Sequence, residues 1–340
     1  MCIRDRYTPG SGIIDLKKAL QHKLKEQNNL KYATEQIIVS NGAKQCLSVA
    51  CQALFDKGDK VLVFTPYWVS FPEFVKIAGA TPVFVNTISE KQYEPDFNDL
   101  ESKIDSNIKG VIINSPSNPT GGVWSDEAIL RLLDLAHANN WFVISDETYE
   151  QLVYDRDFTC IENLNKHDVN ILTVMSMSKT YAMTGWRMGY AAGDKNLIKA
   201  MTKIQGQTTS CPNAISQRAS IAALLGDHQP IDDMKEKFRS RRTVMFDELS
   251  ALPNVHCSMP GGAFYMFPDF SFYLNKKTKN DKILQDTFDL SEYILDTAKV
   301  VTVPGDGFGA KGHLRFSFAT NNEVIKKGVS AVREALGQLK

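Results

Sequence analysis

The sequence predicts an α/β fold: a mostly parallel sheet with helices on both faces, followed by a smaller α+β C-terminal domain. Three observations carry this. Short runs rich in β-branched residues recur at Ile37-Ile38-Val39, Val61-Leu62-Val63-Phe64, Val111-Ile112-Ile113, Phe142-Val143-Ile144 and Ile171-Leu172-Thr173-Val174. Near-continuous apolar runs of this length read as strands buried on both faces. Amphipathic helical stretches such as 44–55 and 126–139 lie between them, and strand–helix alternation builds parallel sheets. Beyond about residue 231 the pattern changes to a long charged helix over 231–252, short strands near 262–268, 300–303 and 314–318, and a last helix over 322–339. The expected division is a large domain, residues 7–230, and a small one with its linking helix, residues 231–340. The length of 340 residues suits two such units.

Ligands of open parallel sheets bind outside the carboxyl ends of the strands, so the residues just after each run are the informative ones. The first run leads into Ser40-Asn41-Gly42-Ala43-Lys44, which opens a helix. The second leads to Thr65-Pro66-Tyr67-Trp68, and the third to Asn114-Ser115-Pro116-Ser117-Asn118-Pro119-Thr120-Gly121. The fourth gives Ser145-Asp146-Glu147-Thr148-Tyr149, and the fifth Met175-Ser176-Met177-Ser178-Lys179. Together these ends offer an anion-binding turn, a large aromatic, an amide, a carboxylate with a phenol, and a lysine between hydroxyls. That set suits a phosphorylated heteroaromatic ring.

The segment Ser176-Met-Ser-Lys179-Thr-Tyr-Ala-Met-Thr-Gly185-Trp186-Arg187 resembles the lysine motif of the class I aminotransferases, fold type I enzymes that use pyridoxal 5'-phosphate. Asn118-Pro119-Thr120-Gly121 and Ser145-Asp146-Glu147 resemble the family's other two signatures, in the same order. The resemblance spans nearly the whole chain from Tyr7 onward. Through Pro66-Tyr67-Trp68 and His313-Leu314-Arg315-Phe316-Ser317 it is nearest to the bacterial aspartate aminotransferase branch.

The resemblance implies a role for each matching residue. Lys179 carries the cofactor as a Schiff base and then shuttles the substrate proton; an isolated lysine after a strand is a solvated charge, and only its motif reverses that reading. Imine formation needs a neutral amine, which desolvation and nearby cations favour. Asp146 faces the pyridine nitrogen, although Asp also caps helices. Tyr149 and Asn118 bond the ring's phenolic oxygen. Ser176, Ser178 and Arg187 hold the phosphate with the amides of Gly42, Ala43 and Lys44 at a helix start, where unpaired N–H groups and the dipole favour anions. Ala43 departs from the family's glycine there, at little cost to a backbone contact. Trp68 stacks on the ring, while Trp186 reads as core. Arg315 takes the substrate carboxylate, with Asn118 and Trp68 also beside the substrate. Tyr7 resembles a tyrosine that crosses a dimer interface to the neighbouring cofactor phosphate, which implies a homodimer.

Aspartate and 2-oxoglutarate are the substrates this branch implies. An aromatic or prephenate aminotransferase, or a β-lyase of the same fold, remains open, because no cation for a distal carboxylate is identifiable in the sequence. A nicotinamide-dependent oxidoreductase is the competing class. Its one candidate, Gly305-Asp306-Gly307-Phe308-Gly309, lacks the G-x-G-x-x-G spacing and reads as a turn. Relatives carry several dozen residues before the equivalent of Tyr7. Here residues 1–6 resemble nothing in the family, so a truncated or misassigned start with weakened substrate closure is expected.

Composition excludes other classes. Lys+Arg and Asp+Glu balance at 39 each, giving no electrostatic case for nucleic acid or an anionic membrane surface. No apolar run approaches the ~18 residues of a membrane span. The six cysteines, Cys2, Cys46, Cys51, Cys160, Cys211 and Cys257, form neither C-x-x-C pairs nor metal spacing. They suit a reducing, cytoplasmic setting and no metal.

Overall fold

The computed structural model describes residues 7–340; the expectation about residues 1–6 lies outside it. In chain order the elements are α1 (Ile14–Asn28), β1 (Ile37–Ser40), α2 (Ala43–Leu54), β2 (Lys60–Thr65), α3 (Ser70–Ile77), β3 (Thr81–Ile88), β4 (Glu94–Pro95), α4 (Phe97–Ser102), β5 (Ile108–Asn114), α5 (Asp126–Ala138) and β6 (Phe142–Asp146). Then come β7 (Ile171–Ser176), α6 (Met177–Thr180), β8 (Gly189–Ala192), α7 (Lys195–Thr208), α8 (Ala214–Leu225), α9 (Gln229–Ser250), β9 (Tyr265–Met266), α10 (Thr287–Ala298), β10 (Val303–Pro304), β11 (Leu314–Ser317) and α11 (Asn322–Leu336).

Eight strands form one sheet in the order β1-β8-β7-β6-β5-β2-β3-β4. β2, β3, β5, β6 and β7 are parallel. β8 runs antiparallel to both β7 and β1, which leaves β1 pointing with the majority. The carboxyl ends of all these parallel strands therefore reach one edge, and the amino end of β8 meets them there.

Successive strand residues face opposite sides, and the core divides accordingly. Val61 and Val63 pack with Leu47 of α2, Phe71 of α3 and Met201 of α7. Leu62 and Phe64 pack on the other face with Ile129, Leu132 and Leu133 of α5. Toward β1 that second face is covered by Leu16, Leu20 and Leu24 of α1 and Leu224 of α8. The expected class, helices on both faces of a mostly parallel sheet, is the one observed.

The C-terminal part is a three-stranded antiparallel sheet, β10-β11-β9, packed against α9, α10 and α11 around Leu249, Phe270, Ile294, Phe316 and Val332. Tyr149, Leu152 and Tyr154, which come after β6, sit in that same core. Arg242 of α9 grips Asp155 with both arms, at 2.6 and 2.9 Å. The segment leaving the carboxyl end of β6 is thus fastened to the C-terminal part.

Several elements were not legible. β3 mixes exposed and half-buried positions with one buried residue, Val85, and its short apolar run Val83-Phe84-Val85 follows Pro82, which reads as a break. β8 is Gly-Tyr-Ala-Ala, too small-sided to score as a strand. The expected strands at 262–268 and 300–303 contract to the two-residue β9 and β10, and α11 stops at Leu336 before Gly337. Trp186, expected in the core, is 45% exposed. It lies in the 3-10 turn Thr184–Trp186 on the surface rim, beside exposed Gly185 and Arg187. No helix among the described residues is long and apolar enough to cross a membrane.

Candidate active site

A cavity of about 340 Å³ opens at the convergent strand ends, lined by Ala43, Lys44, Trp68, Asn114, Asn118, Asp146, Thr148, Tyr149, Ser176, Ser178, Lys179, Thr184, Arg187, Tyr265 and Arg315. Its size is typical of small-ligand sites. The sequence-named residues of five strand ends meet here. Gly42 lies just behind the lining, and Tyr7 lies outside it on the surface, 90% exposed.

At one end sits the start of α2. Gly42 has φ +85°, a conformation that disfavours a side chain, and a Cβ there would come 2.6 Å from Nη2 of Arg187. Across the sheet edge, a Cβ on Gly189 would meet the Ala43 nitrogen at 2.2 Å. Only glycines let β8 bring Arg187 over the amides of the helix start. One arm of Arg187 donates to the Thr184 carbonyl at 2.8 Å, which leaves the other toward the cavity. Ser176 caps α6 by accepting from the Ser178 N–H at 3.0 Å, and its own hydroxyl donates to the Met188 carbonyl at 3.2 Å. The Ser178 hydroxyl has no such commitment among the described bonds. The Gly42 amide, expected to join in holding the phosphate, already donates to the Ser40 carbonyl at 2.8 Å; the amides of Ala43 and Lys44, a hydroxyl and a guanidinium make the anion cradle.

At the other end, Asp146 terminates β6 with only 5% of its surface exposed. It accepts from the Thr148 N–H at 3.1 Å, and no ion pair reaches it among the described residues. Burial pushes its carboxyl up to about 6, against the Thr148 bonds that favour the charged form. A cationic N–H in the cavity would be the missing partner. Asn114 stiffens this floor by accepting from the Asn118 N–H at 2.8 Å and donating to the Asp146 carbonyl at 3.0 Å.

Lys179 sits in the last turn of α6, half-buried, with its Nζ 5.3 Å from the Phe264 ring centre. Its ammonium is held below the usual lysine range by burial first, then by the charges of Arg315 and Arg187. Arg315 donates to Oδ1 of Asn118 at 2.7 Å and lies 4.5 Å over the Tyr265 ring. The Tyr149 and Tyr265 hydroxyls are 2.8 Å apart, and burial holds the Tyr149 phenol well above its ordinary range. Trp68 is steadied edge-on by Phe71 and Phe74, and the Lys44 ammonium rests 4.9 Å from its ring centre.

Sequence reasoning missed Tyr265, Thr148, Thr184 and Asn114 as lining residues, and read Lys44 through its amide alone. Asn114 comes directly after the third apolar run and was open to notice. Tyr265 lies within the strand expected near 262–268, of which only Tyr265–Met266 forms, and nothing in that stretch marks it as facing the site.

The sequence profile described as "Aminotransferase class I and II" matches residues 3–332. An aspartate aminotransferase of Bacillus subtilis (strain 168) is 35% identical over 330 residues, 96% of this chain and 83% of the relative. A protein of Petunia hybrida named bifunctional aspartate aminotransferase and glutamate/aspartate-prephenate aminotransferase is 40% identical over 340 residues, 98% and 71% of the two chains. The crystal structure of an aspartate aminotransferase from Rhizobium meliloti superposes with a TM-score of 0.93 at 37% identity, over 98% of this chain and 84% of that one. The chain belongs to the class I and II aminotransferases, enzymes that move amino groups with pyridoxal phosphate.

Proposed function

We propose that the cavity holds pyridoxal 5'-phosphate on Lys179, and that the enzyme passes the amino group of aspartate to a 2-oxo acid such as 2-oxoglutarate in ping-pong fashion. The observation that carries the reading is the pairing of an anion cradle at one end of the cavity with a buried carboxylate that has no ion-pair partner among the described residues at the other, and a desolvated lysine between them. When bound, the cofactor supplies an aldehyde for the amino group and a protonated ring that takes up the electrons freed at the substrate carbon.

The chain's own residues do the rest. Asp146 holds the proton on the ring nitrogen. Asn118, whose Oδ1 already accepts from Arg315, has its amide N–H left to donate to the ring oxygen beside Tyr149. Ser178, Arg187 and the Ala43 and Lys44 amides grip the phosphate, with Ser176 shaping the turn, and Trp68 covers the ring face. Lys179 carries the proton from the substrate carbon once freed. Arg315 binds the α-carboxylate and so fixes which bond is broken.

The Lys44 side chain adds a further cation at the cavity mouth, exposed and over Trp68. It is placed for a distal carboxylate, which supports an acidic substrate. Prephenate, also a dicarboxylate, is the second reading this cation allows, and the Petunia relative's name includes it. Lys44→Ala is expected to raise KM for aspartate about 10- to 100-fold, as loss of a charge-assisted contact would, and to leave alanine unchanged. Equal effects on both amino acids would remove the distal-carboxylate role.

The direct test is spectroscopic. The purified protein should be yellow, bleach with aspartate and regain colour with 2-oxoglutarate. Release of ammonia without that reversal would favour a lyase. Gly42→Ala should weaken cofactor affinity about 10- to 100-fold through strain at positive φ and displacement of Arg187, read by absorbance titration; unchanged affinity would take the phosphate away from this turn.

The division into residues 7–230 and 231–340 stays part of this proposal, with α9 as the link. So does a homodimer: Tyr7, 90% exposed and outside the cavity lining, precedes a segment pinned by Gln217 to Thr8 at 3.0 Å and by Gln205 to the Gly10 carbonyl at 2.6 Å. Free Cys46, Cys51, Cys160, Cys211 and Cys257 support a cytoplasmic setting.

A further inference from the structure

Tyr265 enters the cavity from β9, buried, and touches two functional groups at once. Its hydroxyl is 2.8 Å from that of Tyr149, and its ring lies under the Arg315 guanidinium at 4.5 Å. Arg315 also donates to Asn118 at 2.7 Å. Both residues assigned to the cofactor's ring oxygen are therefore joined to the carboxylate-binding arginine, Asn118 directly and Tyr149 through Tyr265.

We infer that Tyr265 is a positioning residue: its hydroxyl donates to the Tyr149 oxygen and turns the Tyr149 O–H toward the cofactor, while its ring holds Arg315 in place for the substrate carboxylate. The inference rests on the cofactor reading proposed above.

Two phenols in one hydrogen bond have one proton between them and one left over. Neither hydroxyl has another partner among the described residues. If Tyr149 donated to Tyr265, its lone pairs would face the ring oxygen, an acceptor against an acceptor. With an oxygen bearing negative charge in the cavity, the favourable direction is Tyr265 to Tyr149 to the ring. Donation into Tyr149 also polarises its outward O–H and strengthens it. The charged groups around Tyr149 are Asp146 on its own segment and Arg315 from β11, with Lys179 from α6 across Phe264. All of them survive a change at Tyr265. The arginine contact is separate, because a cation over a ring needs the face and not the hydroxyl.

Two substitutions separate the halves of the inference. Wild-type holoenzyme should show a visible band that titrates with pH; if no lysine-linked band forms, the cofactor reading itself fails. Given that band, Tyr265→Phe should move its midpoint up by about half a pH unit, because a weaker donor at the ring oxygen favours the protonated linkage. KM for aspartate should stay within about twofold, since the ring remains. Tyr265→Leu should shift the midpoint likewise and raise KM about tenfold through loss of the ring face. A Tyr265→Phe midpoint within about 0.1 unit of wild type overturns the hydrogen-bond half, and an unchanged KM in Tyr265→Leu overturns the arginine half.

Discussion

Lys179→Met is expected to lower kcat by at least about 10⁴-fold, since it removes the group proposed as both covalent tether and proton carrier, and yet to leave the cofactor-free chain no less heat-stable at pH 7. The two outcomes share one cause. In the folded chain the Lys179 ammonium is held below its ordinary 10.5 by burial, with Arg315 and Arg187 adding to it. The unfolded chain therefore binds that proton more tightly, and folding at neutral pH is opposed by it. The opposition fades as pH climbs from the lowered value through 10.5, and is gone only above it, where both states are neutral. Methionine keeps most of the apolar stem and drops the charge. Melting of the variant and parent without cofactor should accordingly differ most near pH 7 and converge only above about pH 11, once the unfolded lysine has also lost its proton. Amino-group exchange within tenfold of wild type would remove Lys179 from the chemistry. A variant that melts clearly below its parent at pH 7 would contradict the burial argument.

The sequence made the catalytic edge readable because a parallel sheet places its functional residues just after each buried run. Asp146 comes after Phe142-Val143-Ile144 and Lys179 after the fifth run, each within a few positions, so periodicity puts them at the edge, and the lysine motif gives Lys179 its role. Arg315 was legible by another route, the His-Leu-Arg-Phe-Ser resemblance, since β11 is only four residues long. The residues that escaped depend on pairing distant segments. Tyr265 lies in the strand expected near 262–268, but its importance arises only where β9 meets Tyr149, 116 residues earlier in the chain. Trp186 misled for the opposite reason: its size argues for the core, while the tight turn before Arg187 keeps it at the rim. Lys44 was read through its backbone because a helix start binds anions by its amides, and the side chain's path over Trp68 is a tertiary fact.

A second lysine, Lys23, was equally hidden, and its removal is expected to be the most destabilising single change beneath the cavity. In α1 it reads as one of several solvated charges, but it is only 2% exposed. Its ammonium pairs with the Glu150 carboxylate, donates to Oδ1 of Asn28 at 2.7 Å and approaches the Met175 sulfur at 3.4 Å. Asn28 also donates to Glu150. Glu150 is the residue after Tyr149, and Met175 directly precedes Ser176, so one buried ammonium braces two turns of the active-site floor. Lys23→Met would strand the Glu150 charge in the interior, which typically costs about 3–5 kcal/mol. With an unfolding entropy of about 2.1 cal/mol/K per residue, that corresponds to a melting midpoint lower by roughly 4–7 °C. Adding Glu150→Gln should recover most of the loss, because a neutral amide can still bond Asn28 and no charge remains unpaired; the coupling in this double-mutant cycle is the quantity to measure. If the single variant melts within a degree of its parent, or the two losses simply add, the pair is not the brace its burial implies. Cofactor affinity should fall in Lys23→Met and recover in the double variant, because the turns carrying Tyr149 and Ser176 keep their positions only while the charge beneath them is balanced.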